Sequence, residues 1–235
     1  MNLAILQARM SSSRLPGKVM ATILDKPMIM HQIERLQRSS TIDDLLVATS
    51  TESSDDELAD YLVRSNVEVF RGPLDDVIGR FVLASQDRKP EFVIRLTADC
   101  PLTDPVVIDQ LVELARDTSA EYTSNCFPRT FPRGLDAEVI KWSTLVSVNE
   151  LDLTVFEREH VGVRMYSHPE FYKQSNLERQ EDLSTLRWTV DTPRDFEFVK
   201  FVYENLYAEN TNFSTDDILE LIARNPTKSN IEREL

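Results

Sequence analysis

The sequence predicts an α/β protein, a mainly parallel β-sheet with helices on both faces and a small C-terminal lobe. Two observations carry this. The first half alternates short apolar runs with amphipathic segments about four times, the pattern that builds parallel sheets. No linker-like stretch divides the chain, so residues 1–235 are expected to form one domain, with a change of pattern between residues 1–120 and residues 121–235.

The elements follow in order. Residues 3–6 form a short apolar run, the mark of a buried strand. Residues 27–38 place Ile29, Ile33 and Leu36 on one helical face. Residues 45–49 give a second strand. Ser54 and Glu57 have capping-box spacing, so a helix is expected to start there. Residues 67–70 are a third strand, and residues 75–86 carry Ile78 and Val82 at helical spacing. Residues 92–96 are a fourth strand, followed by a helix over 105–116 with Ile108, Leu111 and Ala115 inward. After Ala120 the rhythm changes. Strands are expected at 136–141, 171–177 and 186–190, and helices at 155–166, 196–206 and 216–224.

Composition narrows the function. The formal net charge is −14 and the pI about 4.7, so nucleic acid and anionic membrane surfaces are not expected partners. Cys100 and Cys126 lack metal-ligand spacing and make no disulfide framework, which fits a reducing cytoplasm. The first residues, MNLAILQ, carry no basic lead of a secretory signal, and no stretch reaches the ~20 apolar residues of a membrane span.

Against this acidic background, "QARMSSSRLPGKVM" (7–20) concentrates Arg9, Arg14 and Lys18 with almost no carboxylates nearby. Such a loop either lies solvated on the surface or cradles phosphate. Ser11, Ser12 and Ser13 offer hydroxyl and backbone donors. Arg14 can grip phosphate oxygens as a fork, and Lys18 acts as a point charge. Pro16 and Gly17 impose a turn before Lys18. The segment is neither a Walker A loop nor GxGxxG.

Three charged segments fall at the expected carboxyl ends of strands, where open α/β sheets bind ligands: 8–18, 98–101 and 191–195. Taken singly, Asp99 before a turn and Asp191 before a helix start read as local caps. At two strand ends of a sheet that also carries a phosphate loop, they suit a divalent ion shared with phosphate oxygens.

The stretch "ARMSSSRLPGKVMATILDKPMIMHQIER" resembles the N-terminal signature of the sugar-acid cytidylyltransferases, which include CMP-Kdo and CMP-sialic acid synthetases. "RLTADCPLTDP", "FPRGLDAEVI", "EREHV" and "LRWTVDTPRDFEFV" are similar to the spore-coat polysaccharide biosynthesis protein F branch. The resemblance weakens only after about Ala208. It implies a GT-A-like (Rossmann-like) fold, a nucleotide-binding half over 1–120 and an acceptor and metal half over 121–235.

The resemblance also implies roles. Arg9, Arg14 and Lys18 would hold the CTP triphosphate and, with Asp99, form the catalytic set. Ala8, Ser11, Ser12, Ser13 and Thr97 would join the nucleotide site. Asp99 and Asp191 would bind Mg2+. A homodimer is implied as well. Two departures stand out. Asp25 replaces the Gly of the family's G-K-P-M-I, and Thr97-Ala98-Asp99-Cys100 stands where Kdo synthetases have Gln-Gly-Asp-Glu.

The polar segment "NCFPRTFPRGLDAE" supplies candidates for the acceptor: Asn125, Arg129, Arg133, Asp136 and Glu138, with His160 further on. Arginines suit a carboxylate or phosphate, and acids suit sugar hydroxyls. The expected reaction is attack of an acceptor oxygen on the α-phosphorus of CTP, with loss of pyrophosphate, in surface polysaccharide synthesis. Two alternatives share the fold or the ligand: a nucleotide-sugar-dependent glycosyltransferase and a non-catalytic nucleotide-binding protein. Against the first, Asp99 lacks the partner of an Asp-x-Asp motif.

Overall fold

The computed structural model describes residues 1–12 and 14–229, so the candidate Ser13 lies outside the described residues. The first apolar run forms β1 (Asn2–Gln7). A small hairpin follows, β2 (Thr22–Ile23) with β3 (Lys26–Pro27). The main sheet continues with β4 (Asp44–Ser50), β5 (Val69–Gly72), β6 (Phe92–Thr97), β7 (Tyr122–Ser124), β8 (Glu138–Lys141) and β9 (Gln174–Asn176). Its strand order is β5-β4-β1-β6-β8-β7-β9. β1 pairs in parallel with β4 and β6, and β5 adds in parallel to β4. β8 is antiparallel to both β6 and β7, and β9 is parallel to β7. β8 is therefore the one strand of the described sheet that runs against the rest.

The helices are α1 (Met28–Leu36), α2 (Asp56–Arg64), α3 (Val77–Ser85), α4 (Pro105–Thr118), α5 (Trp142–Asn149), α6 (Val155–Glu159), α7 (Val163–Tyr166), α8 (Pro193–Leu206) and α9 (Thr215–Arg224). They divide between the two faces of the sheet. Ala4 and Leu6 of β1 join a core with α1, α2, α4, α8 and α9, while Leu3 and Ile5 join α3 and α5 on the other side. Alternate strand residues point to opposite faces, so a wholly apolar strand is what two covered faces require. Each fully buried Leu or Ile contributes about 1.5–3 kcal/mol.

The C-terminal lobe is α8 and α9. It locks onto the first half of the chain through buried polar contacts. Tyr203 donates its hydroxyl to the Pro101 carbonyl at 2.8 Å. Arg35 donates to the Phe213 carbonyl at 3.0 Å and lies over its ring.

Four expectations change. The helix expected at the Ser54–Glu57 pair starts instead at Asp56, after a 3₁₀ turn (Ser53–Asp55), and Asp55 turns inward rather than capping it. The helix expected over 155–166 is broken into α6 and α7. The break sets Gly162 against Glu138, where a Cβ would lie 1.9 Å from Oε1. The strand expected over 171–177 contracts to β9. The strand expected over 186–190 is extended chain outside the sheet. It bonds to Arg133 on one side, and Val190 donates to the Asp99 carbonyl at 2.7 Å on the other. β7 and α5, both missed in the sequence, complete the second half.

Candidate active site

The end of β1 opens into the basic loop. Ala8 still pairs with β4, donating to the Ala48 carbonyl at 3.1 Å. The loop then closes on one atom, for the Met10 carbonyl accepts from Ser12 at 2.9 Å and from Gly17 at 3.0 Å. Gly17 has φ +71°, a left-handed conformation that only glycine adopts without cost. It turns the chain into a 3₁₀ turn (Lys18–Met20) that sends Lys18 inward. On the outer side the buried Asp55 accepts the Met10 N–H at 2.7 Å and the Ser50 N–H at 3.2 Å, together with the Ser50 hydroxyl. Burial pushes the Asp55 carboxyl up, but the hydrogen bonds from Ser50, Met10 and Thr49 outweigh it and hold it below the usual carboxylate range.

Asp99 sits on the turn after β6. α1 braces that turn. Gln32 donates to the Thr97 carbonyl at 3.0 Å and to the Thr103 hydroxyl at 3.1 Å, and Arg35 donates to the Thr103 carbonyl at 2.7 Å. The turn meets the segment before α8 through the Asp99 carbonyl, which accepts from Val190 and, at 3.2 Å, from the Thr189 hydroxyl. This contact brings Asp191 beside Asp99 although they are far apart in sequence.

Asp191 is fixed from behind. Its N–H donates to Asp195 Oδ2 at 3.0 Å, within the capping box that Thr192 and Asp195 form at the start of α8. Arg187 donates to Asp191 Oδ2 at 2.7 Å and to Asp195 Oδ1 at 3.3 Å. Asp191 Oδ1 faces the cleft, where it meets Arg14 at 3.0 Å and Lys18 at 3.1 Å. Lys18 Nζ also donates to Asp99 Oδ2 at 3.3 Å and to the Val190 carbonyl at 2.6 Å. Lys18 is only 8% exposed, so of the two readings of the loop the solvated one does not hold for this cation. Burial raises the Asp99 carboxyl, yet the Lys18 ammonium and hydrogen bonds from Thr97 and Lys18 bring it below the usual carboxylate range.

Two cavities meet here. A cleft of about 320 Å³ is lined by Ala8, Arg9, Ser12, Arg14, Lys18, Thr97, Asp99, His160 and Asp191. A neighbouring cavity of about 300 Å³ is lined by Arg95, Phe127, Arg129, Asp136, Glu138, Phe156, His160 and Tyr166. Thr97 and His160 border both. The structure thus gathers most of the residues expected to bind nucleotide and metal. Ser11 is exposed and lines neither cavity. Arg9 is half exposed and pairs loosely with Glu159 at 3.7 Å.

The expected acceptor set is brought together only in part. Arg129 grips Asp136 bidentately, at 2.5 and 2.9 Å. Glu138 binds Arg95 and accepts the Tyr122 hydroxyl at 2.5 Å. Two expected acceptor residues are not brought to either cavity. Asn125 is fully buried and serves its own loop, donating to the Leu135 carbonyl at 2.8 Å and accepting from Ala137 at 3.1 Å. Arg133 lines neither cavity, and its backbone holds the 186–189 segment.

Arg187 and Asp195 set Asp191, and Asp195 does so from the first helical turn, as part of the Thr192–Asp195 capping box. Asp55, which anchors the loop, and Arg95, which reaches Glu138, were missed in the sequence. Arg95 left a signal: it is the one charge in the run FVIRLT, two residues before Thr97 and so on the same face. Cys100 is buried, and burial raises its thiol well above the ordinary value, so it packs rather than reacts.

The donor set fits a hard divalent ion. Mg2+ takes one or two carboxylates and fills its octahedron with water and substrate phosphate. Asp99 and Asp191 converge on one point, that of the Lys18 ammonium. Among the described residues no group of three or more His, Cys, Asp or Glu could hold a metal ion unaided.

Known proteins resemble this chain along most of its length. The family model described as "Cytidylyltransferase" matches residues 3–221. The spore coat polysaccharide biosynthesis protein SpsF of Bacillus subtilis is 32% identical over 231 residues, covering 95% of both chains. A cytidylyltransferase structure from Leptospira borgpetersenii superposes with a TM-score of 0.92 at 32% identity, over 100% of this chain and 98% of that one. CMP:2-keto-3-deoxy-manno-octonic acid synthetase, solved with CTP, shares the fold with a TM-score of 0.66 at 18% identity, over 86% of this chain and 98% of that one. A mostly parallel sheet, a basic loop at its carboxyl edge and a family model spanning most of the chain lead to one assignment: the chain belongs to the cytidylyltransferase family, and it is a nucleotidyltransferase.

Proposed function

We propose that the protein is a Mg2+-dependent cytidylyltransferase that joins CMP from CTP to a sugar acid or related acceptor, releasing pyrophosphate, in surface polysaccharide biosynthesis. One observation carries the reading. Lys18, Arg14, Asp99 and Asp191 converge in a cleft that opens, past Thr97 and His160, into a second cavity. A triphosphate in the first and an acceptor in the second would meet at that border.

Positioning does most of the work in such a transfer, because no covalent intermediate on the protein is required. The cations of Arg9, Arg14 and Lys18 would hold the phosphates and stabilise charge on the departing pyrophosphate. Asp99 and Asp191 would hold the divalent ion, which supplies further charge neutralisation on the phosphates. The acceptor would lie against Arg129, Asp136 and Glu138. In this cavity Arg95 is paired with Glu138 and Arg129 with Asp136, so an acceptor would meet ion pairs rather than lone charges. No helix among the described residues is long and apolar enough to cross a membrane. A cytoplasmic location belongs to the proposal through its small-molecule substrates. A homodimer belongs to the same proposal, on the strength of the family resemblance.

The test is pyrophosphate release with CTP, Mg2+ and a panel of sugar acids, alongside thermal-shift titration with CTP, UTP, ATP and GTP. CTP is expected to give the largest shift. Equal shifts from all four, or a preference for UTP, would remove the cytidylyl assignment.

A further inference from the structure

The Lys18 ammonium stands where a divalent cation would have to be. Its three N–H donors all have acceptors: Asp99 Oδ2, Asp191 Oδ1 and the Val190 carbonyl. None is left for a phosphate. The side chain is 10% exposed, so water does little to screen it. Arg14 adds a second cation to the same Asp191 oxygen, from an exposed position that leaves it free to move. Arg187 occupies the other oxygen of Asp191. The carboxylates expected to bind metal are therefore already neutralised by the chain itself.

We propose that Lys18 is an internal counter-ion that excludes bare divalent metal, so that metal enters only with the nucleotide. This deepens the proposed function, since it names the substrate as the metal–nucleotide complex, and it rests on that reading for the nucleotide. The physical case is simple. A divalent ion bridging Asp99 and Asp191 would lie within a few ångströms of a buried ammonium, and like charges at that range repel strongly outside bulk water. Mg2+ also gives up its hydration shell reluctantly for two carboxylates alone. A triphosphate changes both terms. It gives Lys18 and Arg14 new anionic partners, and it brings oxygens that complete the shell of the ion. Lys18 then exchanges carboxylates for phosphate, and its old place becomes available. Until then the ammonium keeps two acids together that would otherwise repel one another. The same residue thus prepares the metal site and closes it.

The experiment uses Mn2+ as the probe and the full-length protein, reading free Mn2+ by electron paramagnetic resonance. Wild type without nucleotide is expected to bind Mn2+ weakly, and added CTP should draw Mn2+ into the protein. Lys18→Met and Lys18→Gln should each bind Mn2+ without nucleotide at least about tenfold more tightly than wild type, the effect of removing one nearby cation. The gain should vanish in Lys18→Met with Asp99→Asn. Circular dichroism establishes that each variant is folded. Folded Lys18 variants that bind Mn2+ no better than wild type would overturn the proposal. So would tight Mn2+ binding by wild type alone, an outcome that needs no variant to fold. If wild type fails to bind CTP, the cytidylyl reading falls, while the nucleotide-free measurements still judge the role of Lys18.

Discussion

Asp195 accepts the backbone N–H of Asp191 at 3.0 Å, so the cap of a helix and the placement of a site carboxylate are one device. The same Asp195 oxygen accepts the Thr192 N–H at 2.8 Å, and Arg187 ties the two acids together. Asp195→Ala removes the reciprocal half of the capping box and loosens Asp191. A lost cap costs about 1–2 kcal/mol, and a domain of this size loses roughly 2–4 °C in Tm for each kcal/mol. The expected result is a Tm lower by about 2–8 °C with a fall in turnover larger than the fall in CTP affinity. A variant with normal turnover would mean that Asp191 needs no support.

Much of the fold was legible. β1, β4 and β6 are apolar runs that can only be buried, and α4 announces itself by Pro105 after a capping Asp104. The basic loop was legible because its charge breaks the local pattern, whereas Asp99 and Asp191, each readable as a local cap, stood out only through their shared place at expected strand ends. What escaped depends on contacts between distant segments. Asp55 read as part of a helix start, but burial under Met10 makes it an anchor. Leu186–Val190 is apolar enough for a strand, yet its partners are the Arg133 loop and the Asp99 turn rather than a ladder. Asn125 looked like a ligand because its segment is polar. Its amide is consumed by the loop it shapes.

The Asp25 departure has a local explanation. Leu24 and Asp25 both have positive φ, 47° and 62°, at the two-residue turn between β2 and β3. Turns of this kind favour Asn-Gly, and Asp tolerates the left-handed region better than Leu does. Leu24 is also 44% exposed, so it contributes little burial. Leu24→Asn with Asp25→Gly should relieve about 1–2 kcal/mol of backbone cost, measured as a higher urea midpoint with an unchanged slope. No gain would mean that Leu24 packs in a way its exposure hides.

Asp55 should govern part of the acid stability. Its folded pKa lies below its unfolded one, so its contribution is full above the unfolded value of about 3.9 and is lost as pH falls through the folded value. Asp55→Ala leaves the Met10 N–H and the Ser50 groups without their acceptor, at a cost of about 2–3 kcal/mol near neutral pH. Urea unfolding from pH 6 downward should show the gap between wild type and variant narrowing only below about pH 4. A gap that stays constant would show that the carboxylate charge plays no part.

Arg14 and Lys18 should separate binding from stability. Arg14 is 62% exposed in its side chain, so Arg14→Ala should leave Tm nearly unchanged. It should weaken CTP by about 1.5–3 kcal/mol, the worth of one charge-assisted contact. Lys18→Ala should weaken CTP comparably but also lower Tm, because Asp99 and Asp191 lose a buried partner. Titration calorimetry and thermal melts on both variants check this. Identical melting behaviour of the two would contradict the buried position of Lys18.

Asp99 and Asp191 should act as one unit. They reach the site from different segments, the turn after β6 and the approach to α8, and are joined there through the Asp99 carbonyl and Lys18. Asp99→Asn keeps the shape and much of the hydrogen bonding but removes the charge that would hold a divalent ion. A loss of about 10²–10³ in turnover is expected, the scale for removing one strong electrostatic stabiliser. Asp191→Asn should behave alike, although its amide would also face Arg187 in place of an acceptor oxygen. If both carboxylates serve one ion, the first substitution already forfeits most of what that ion supplies. The double variant should then lose far less than the product of the two single losses. Raising Mg2+ should recover part of the turnover in each single variant and almost none in the double. Losses that multiply, with the same Mg2+ dependence in all three, would show that the carboxylates work separately.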